Sequence, residues 1–227
     1  MGTLERRKRE KDERRTRIID AAEKVLVSKG YPATTMDDVA AEAEVGKGTL
    51  YLYFKNKDEL IMALAMRVRT IMLDGFDEAI QAAISGLDLL RRLGRVHCDV
   101  VETHRDLFML SFHVLASGFK PDTTSPTYTL WKESGEWALR IAVNAIERGK
   151  LDGSVRPDVD AMTASMHLFG GALGVTLVEF GSEDMRQASP QAGRTKGLLA
   201  SFMGFFIDSI AAPGARTAPG ARQAGDT

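Results

Sequence analysis

The sequence predicts an all-α protein of about nine helices. Apolar residues recur at steps of three and four along most of the 227 residues, which is the spacing of one helix face. Glycine and proline divide the chain into segments of helical length. No run between turn residues alternates apolar and polar side chains, as a half-buried strand would, so we expect no sheet.

The first four predicted helices form an N-terminal group. The first ends at Gly30, because glycine readily adopts the backbone that terminates a helix. The second starts at Thr35, whose hydroxyl can bond a free backbone N–H while Asp38 bonds back. The third is short and ends at Phe54, and the fourth starts at Lys57. The four segments are residues 14–30, 35–44, 47–54 and 57 to about 74.

The chain continues as helix up to residue 211. The predicted helices of this part are residues 87–104, 105–117, 127–148, 159–180 and 196–211. Gly149 is expected to end the third of them. The tail, residues 212–227, repeats the sequence Ala-Pro-Gly-Ala-Arg, and we expect it to be disordered because proline and glycine at that density cannot bury a core.

Charge and cysteine usage exclude several classes of protein. The chain has 30 basic and 31 acidic residues, so any nucleic-acid binding must depend on local charge. One cysteine, Cys98, excludes an internal disulfide framework and a cysteine-rich zinc site. His97 and His104 lie two helical turns apart, about 10 Å, too far to share an ion on a straight helix. We expect no metal and no cofactor.

The sequence does not predict a membrane partner. The longest apolar candidate, Leu168–Phe180, is interrupted by Gly170, Gly171, Gly174 and Glu179. The charged N-terminus lacks the apolar core of a secretory signal. We therefore expect a soluble cytoplasmic protein.

The first 17 residues carry eight Lys and Arg against four Asp and Glu. Residues 1–13 are predicted to form a basic flexible arm. Two hypotheses remain for this arm: a solvated segment without a partner, or a basic arm that assists a DNA-binding domain after it.

Residues 35–54 have the pattern of a helix-turn-helix, in which the second helix lies in the DNA major groove. A helix as short as 47–54 is unstable alone, so its neighbours must hold it through Leu50 and Phe54. Its other face then points outward, and Gly48 lets a backbone approach closely. The side chains offered there are Lys47, Thr49, Tyr51 and Tyr53.

Two helix starts are predicted to bind phosphate. A helix N-terminus presents free N–H groups, and a neighbouring ammonium adds positive charge. Lys55 and Lys57 stand at the start of the fourth helix, and Thr35 offers its hydroxyl at the start of the second.

Two stretches resemble the TetR/AcrR family of bacterial transcriptional regulators. They read TTMDDVA from Thr34 and VGKGTLYLYFKNKDEL from Val45, within a match over about residues 14–74. The resemblance implies an N-terminal three-helix DNA-binding domain over residues 14–74. It also implies a C-terminal helical domain over residues 75–211 that binds a small effector and forms a homodimer.

The resemblance assigns roles to individual residues. Lys47, Gly48 and Thr49 match positions that face base edges. Tyr51 and Tyr53 match positions that touch phosphate or thymine methyl groups. Lys57 matches a phosphate-binding lysine, and Thr35 and Met36 match contact positions at the start of the second helix.

This sequence departs from the family pattern at two positions. Glu44 stands where the family usually has glycine, at a position that tends to need a left-handed backbone. A side chain there costs about 1–2 kcal/mol, so the turn could be reshaped. Gly46 replaces a serine that would cap the third helix.

The C-terminal part offers residues for the effector and for the dimer. Bulky, adaptable apolar groups and two histidines suit an irregular pocket, and they are His97, His104, Phe108, Met109, Phe112, Trp131, Trp137, Met166 and Phe169. Small residues four apart and a last helix that is apolar on several faces suit a helix-pair interface, and they are Gly170, Gly174, Leu198, Phe202, Phe205 and Phe206. Ordinary core packing is the alternative for every residue of both sets.

Together these observations favour a homodimeric repressor that leaves a palindromic operator when a small hydrophobic or amphipathic effector binds. The sequence is also compatible with activation. Two other hypotheses are a non-specific architectural DNA binder and a ligand sensor that acts through protein contacts. An enzyme is not expected, because we find no Gly-rich phosphate loop, metal-ligand cluster or nucleophile elbow.

Overall fold

The computed structural model describes residues 2–109, 122–180 and 197–215, and the prediction of an all-α fold is confirmed. Eight helices have both ends within these residues, together with one isolated antiparallel bridge between Val155 and Ala211. The helices are α1 (Thr3–Ala33), α2 (Met36–Glu42), α3 (Lys47–Tyr53), α4 (Lys57–Ala82), α5 (Gly86–Thr103), α6 (Pro126–Asp152), α7 (Ala161–Phe180) and α8 (Leu198–Ile210).

Some predicted segments lie outside the described residues. They are most of the predicted helix 105–117 with Phe112, residues 118–121 of the loop 118–126, the polar segment 181–193 and most of the tail 212–227. Residues 105–109 are helical, as expected.

Helix α1 begins at Thr3, well before its predicted start, so the expectation of a flexible arm over residues 1–13 is corrected. Two ion pairs, each between residues one helical turn apart, stabilise this part of the helix: Arg6–Glu10 at 3.5 Å and Arg9–Glu13 at 3.4 Å. Such pairs each add a few tenths of a kcal/mol to an exposed helix, about 0.2–0.5 kcal/mol. The alternation of charge that suggested an unstructured arm therefore supports a helix.

Helix α1 is interrupted at Gly30, as predicted. Gly30 has φ 74° and ψ 163°, a conformation that is essentially restricted to glycine. The chain then makes a further helical turn that includes Pro32 and ends at Ala33.

Helix α6 does not end at Gly149, which corrects that prediction. The helix continues to Asp152, and Gly153, with φ 77°, follows its end. Gly149 serves close packing instead, because a Cβ there would lie 2.4 Å from a methyl group of Val155. A Cβ on Gly86 of α5 would likewise lie 2.1 Å from the backbone nitrogen of Gly149.

The chain divides into two compact units. The first comprises Met1–Ile71 and Thr103–Ser134, and the second Met72–Glu102 and Gly135–Thr227. The first unit thus contains more than the predicted N-terminal domain, because residues 103–134 belong to it. Residues 103–134 contact the rest of this unit. For example, the guanidinium of Arg69 lies over the ring of Trp131, 5.6 Å from its centre.

In the first unit, α1 to α4 bury one apolar cluster. The fully buried members include Ile18 and Leu26 of α1, Val39 of α2, Leu50 of α3 and Leu64 of α4. These are the faces that periodicity predicts for α1 to α3. A charged contact joins α4 to α1, where Arg67 bonds Asp20 and lies 3.0 Å from Glu23.

The second unit has its own core from α5 to α8. Its buried side chains include Leu87, Leu90, Ile146, Val155 and Ile207.

Glu179 of α7 is buried in the second unit, although it is charged. Its carboxylate accepts bonds from the backbone N–H groups of Gly197 and Leu199, the latter at 2.8 Å. A carboxylate at a helix N-terminus is favourable because it satisfies free N–H groups and opposes the helix dipole. Glu179, the charged residue within the apolar run Leu168–Phe180, therefore caps the start of α8.

Helix α7 is long and apolar enough to cross a membrane by length and composition, which corrects the expectation that no segment reaches that length. Its glycines do not break it, because Gly171 lies against the ring of Phe202 of α8, where a Cβ would be 2.3 Å from the nearest ring carbon. Core helices of soluble proteins pass the same test. Here 28% of the apolar stretch is buried within the chain.

Candidate nucleic-acid interface

The start of α2 is closed by a capping box. The Thr35 hydroxyl oxygen accepts the backbone N–H of Asp38 at 3.1 Å, and Asp38 accepts the backbone N–H of Thr35 at 3.0 Å. The Lys29 ammonium, 2.7 Å from Asp38, and the bonds from Thr35 lower the pKa of that carboxyl to about 2. Thr35 is exposed, but its hydroxyl oxygen already accepts the N–H of Asp38, so it is not free to contact a phosphate.

The turn between α2 and α3 contains the strain that the sequence predicts. Glu44 has φ 54° and is the one non-glycine residue with positive φ in the described part of the chain. The N–H of Val45 bonds the carbonyl of Ala40 at 3.0 Å, which closes the turn. Gly46 begins α3 without a side-chain cap. The turn therefore adopts the left-handed backbone at Glu44, at a local cost of about 1–2 kcal/mol.

Helix α3 has one buried and one exposed side. Leu50 is fully buried, and Phe54, which ends the helix, is nearly so. Lys47, Gly48 and Tyr51 are exposed, as predicted, whereas Thr49 and Tyr53 are half-buried at the edges of the exposed face.

Leu52 belongs to the exposed face and was missed by the sequence analysis. Its exposure is 82%, the largest of any apolar side chain in α3. Leu52 stands four residues after Gly48, so helix periodicity could have placed both on one face. An exposed leucine can contact the methyl group of thymine in the major groove.

Lys47 is paired within the protein. Its ammonium lies 2.7 Å from Asp37 of α2, and this contact raises the pKa of Lys47. Both side chains are exposed, so a phosphate can compete for the lysine.

Lys57 occupies a position that differs from the predicted phosphate contact. Its Nζ donates to the carbonyls of Tyr31 and Thr34, at 2.8 and 3.0 Å, and lies 4.2 Å from the centre of the Tyr31 ring. These carbonyls belong to the end of α1, where a cation is favourable. Lys57 therefore fastens the start of α4 to the end of α1.

Tyr31 and Asp58 strengthen the same junction. The Tyr31 hydroxyl donates to Asp58 at 2.9 Å. Burial, together with this carboxylate, raises the pKa of Tyr31. Lys55 is exposed, with its backbone N–H bonded to Glu59 at 2.7 Å, and its ammonium is the better candidate for phosphate.

The residues predicted for an effector pocket are divided between the two units. His104, Phe108, Met109 and Trp131 belong to the first unit, and His97, Trp137, Met166 and Phe169 to the second. Trp137 packs against the core of its unit. Met166 and Phe169 are exposed on α7, so within their unit they line no enclosed space.

The residues predicted for the dimer separate into two groups. Gly170, Gly174 and Phe205 point away from their unit: no atom lies within 4 Å of a Cβ at either glycine, and Phe205 is 79% exposed. Phe202 and Phe206 pack inside the chain, with ring centres 5.9 Å apart. Leu198 is half-buried.

Metal binding and the reactivity of Cys98 can also be assessed. Among the residues described, no group of three His, Cys, Asp or Glu is arranged to hold a metal ion. Burial, followed by nearby carboxylates, raises the pKa of Cys98 to about 11, so at neutral pH it is a thiol of low reactivity.

A strained turn between two short helices, with the second helix exposed on one side, defines a helix-turn-helix DNA-binding protein. Comparison with known proteins agrees. The family model of bacterial regulatory proteins of the tetR family matches residues 18–64. An uncharacterized HTH-type transcriptional regulator, YhgD of Bacillus subtilis, is 30% identical over 156 residues, covering 69% of this chain and 79% of the relative. The chain belongs to the TetR family and is a DNA-binding transcriptional regulator.

Solved structures show the same fold at low identity. The ketosteroid transcriptional regulator KstR2 of Mycobacterium tuberculosis superposes with a TM-score of 0.65 and 17% identity, covering 87% of this chain and 95% of that one. The regulator FadR of Bacillus subtilis, in complex with stearoyl-CoA, has a TM-score of 0.61 and 19% identity, covering 86% and 98%.

Replacing Lys57 should lower stability more than it changes DNA binding. We expect Lys57→Met to reduce the free energy of unfolding by about 1–2 kcal/mol, because it removes two charge-assisted bonds to carbonyls. The matched control Lys55→Met should leave stability unchanged and reduce the salt dependence of DNA affinity by about 0.9 for each phosphate that the protein no longer binds. Urea unfolding and binding titrations at several salt concentrations measure both effects. Unchanged stability in Lys57→Met, with a reduced salt slope, would instead assign Lys57 to phosphate.

Proposed function

We propose that this regulator is a homodimeric repressor that binds a palindromic operator and is released by a hydrophobic or amphipathic effector. The proposal places it in the cytoplasm, with the DNA that it reads. The observation that carries the DNA part is the exposed face of α3, where Lys47, Gly48, Tyr51 and Leu52 stand opposite the buried Leu50. A major groove admits one α-helix, and this face offers it a cation, an aromatic hydroxyl and an apolar side chain.

Selection of binding sites from random duplex DNA tests this proposal directly. A dimer with a two-fold axis should recover a palindrome whose half-sites lie about one helical turn apart, 34–36 Å. Recovery without sequence preference would favour the architectural hypothesis. No recovery at all would favour a sensor that acts through protein contacts.

Gly48 tests whether α3 approaches DNA closely. Among the described residues, no atom beyond the chain neighbours and the backbone of α3 lies within 4 Å of a Cβ at Gly48, and alanine stabilises a helix, so Gly48→Ala should fold normally. An added methyl at a tight DNA contact should weaken operator binding about tenfold, which corresponds to ~1.4 kcal/mol. Gly2→Ala, which adds the same methyl to an open position in the first residues of the chain, is the control in the same titration. Equal affinities for both variants and the wild type would remove Gly48 from the interface.

The dimer is proposed to form through the outward side of α7 and α8. This side carries exposed apolar groups that a monomer would leave in water, and they are Met162, Met166, Phe169, Val178 and Phe205. Gly170 and Gly174 lie among them and allow a second helix to approach. The two-fold axis of such a pair would present two copies of α3 to one palindrome.

A charge on this side should prevent dimerisation. We expect Phe205→Glu to sediment as a monomer at micromolar concentration, because it places a carboxylate in an apolar interface. Leu151→Glu is a matched control, since Leu151 is 90% exposed on α6, apart from the proposed interface. A dimer that persists in Phe205→Glu, or that is lost equally in Leu151→Glu, would contradict this assignment.

The effector is proposed to be amphipathic, with an acidic group. In the first unit the guanidinium of Arg69 is half-buried above Trp131, whose ring stacks on Tyr128 at 6.1 Å between centres. Burial lowers the pKa of Arg69, and the structure shows no carboxylate paired with it in the described residues. A cation beside aromatic surface suits a ligand with both an anionic and an apolar part. The stearoyl-CoA bound to the related FadR is a ligand of this kind.

Stearoyl-CoA is therefore the first probe for release from the operator. Binding of effector and operator to different states should reduce operator affinity by roughly 5–150-fold, a coupling of 1–3 kcal/mol. Helix α4 is the proposed connection, because it contributes residues to both units. Coenzyme A without the acyl chain is the control. If both compounds reduce operator affinity equally, or if neither reduces it, the acyl chain is not the signal.

A further inference from the structure

The N-terminal part of α1 has its charges sorted by side. Arg7, Lys11 and Arg14 follow one another at steps of four and three residues and lead to Ile18, the first buried residue of the helix. Residues at this spacing share one helix face. Lys8 and Arg15 lie on the same face, seven residues apart. At 100° per residue the five cations span about 120° of the helix circumference with no acid between them, and Glu10 and Asp12 flank this span, one turn from its members. The five basic residues are named the basic stripe.

Ion pairing follows the same division. On the other sides of the helix, Arg6 pairs with Glu10 and Arg9 with Glu13. Among the ion pairs shown in residues 2–109, none involves a member of the basic stripe. Four of its members, Arg7, Lys8, Lys11 and Arg14, are also exposed. The stripe thus carries positive charge that no ion pair shown within residues 2–109 neutralises.

The basic stripe reaches the helix-turn-helix at the buried side of α3. Its last member, Arg15, places its guanidinium 5.1 Å from the centre of the Phe54 ring, at the end of α3. From Arg15 the stripe extends along α1 to Arg7, about 12 Å at 1.5 Å per residue. Along this line Arg7, Lys11 and Arg14 are separated by about 6 and 4.5 Å of helix rise, and one DNA strand carries a phosphate about every 3.4 Å of its axis, so each of these three cations can reach a phosphate.

We propose that the basic stripe is a second DNA-binding surface, which holds the phosphate backbone of duplex DNA beside the site that α3 reads. The proposal rests on the DNA-binding function of α3 and adds affinity without sequence preference, because phosphate contacts carry no base information. A membrane is a poorer partner for this surface. Helices that lie on anionic lipid need a broad apolar face, and in residues 3–17 the large apolar side chains are limited to Leu4.

A pair of matched double variants tests the stripe. Arg7→Gln with Arg14→Gln removes two charges from the stripe, and Arg6→Gln with Arg9→Gln removes two charges from the paired side. Glutamine preserves helix propensity, and circular dichroism verifies that both variants fold. Affinity for the operator recovered by selection is measured against salt concentration, beside affinity for a scrambled duplex of equal length.

We expect the stripe variant to lower the slope of log affinity against log salt by about 1.8 for each bound protomer, two phosphates at ~0.9 each. Its affinity should fall for operator and scrambled DNA alike, so the ratio between them is kept. The paired-side variant should retain the wild-type slope. A wild-type slope in the stripe variant, or the same reduction in both variants, would overturn the inference.

A separate readout distinguishes this failure from failure of the function itself. If the wild type shows no preference for any duplex, the proposed operator binding fails, whatever the stripe does. If the preference is present and both variants keep the wild-type slope, the inference alone fails. Vesicles of phosphatidylglycerol are tested beside the DNA, and binding that is lost in the stripe variant without a change in DNA slope would assign the stripe to membranes instead.

Discussion

The burial of Leu50 and Phe54 is the constraint on which the interface depends. Helix α3 has seven residues, too few to be stable alone. Burying an aliphatic or aromatic side chain contributes roughly 1.5–3 kcal/mol, so these two contacts anchor the helix in the core. Once Leu50 points inward, helix geometry leaves Gly48 and Leu52 pointing outward. Apolar packing, rather than any polar contact, therefore decides which residues of α3 are available to DNA.

Polar groups around this face are already used by the protein. Lys47 is paired with Asp37, Lys57 with two carbonyls, and Thr35 with Asp38. DNA must exchange such contacts rather than fill vacant ones, so each adds less affinity than a free cation would. The exchange also favours a duplex that fits well over one that is merely negatively charged. The number of basic residues near the helix-turn-helix is therefore larger than the number that are free to bind phosphate.

The sequence predicted the helices and the turn well because local rules determine them. Thr35 and Asp38 form the capping box that their spacing predicts, and the left-handed backbone at Glu44 was indicated by the family resemblance. Leu50 and Phe54 were predicted to be buried by periodicity. Leu52 follows from the same periodicity and was missed because an apolar side chain was not expected at a polar interface.

The remaining differences depend on distant parts of the chain. The ammonium of Lys57 reaches carbonyls 26 and 23 residues away, which no local pattern reveals. Gly149 does not end a helix. Its missing side chain instead allows Val155 and Gly86 to pack closely against it. Met166 and Phe169 are apolar enough for a pocket, and only the packing of α7 against α8 shows that they face outward. In each case tertiary contacts decide what the residue does in the folded chain.

The apolar side of α7 and α8 has a consequence for how much of the protein a cell needs. An association that buries this side makes folding and assembly share one free energy, so the apparent melting temperature rises with protein concentration. If the proposed dimer forms there, chains separated at low copy number would expose Phe169 and Phe205 to solvent and become substrates for proteases and chaperones. The amount of active regulator then falls faster than the amount synthesised, and expression level itself sets a threshold for occupancy of DNA.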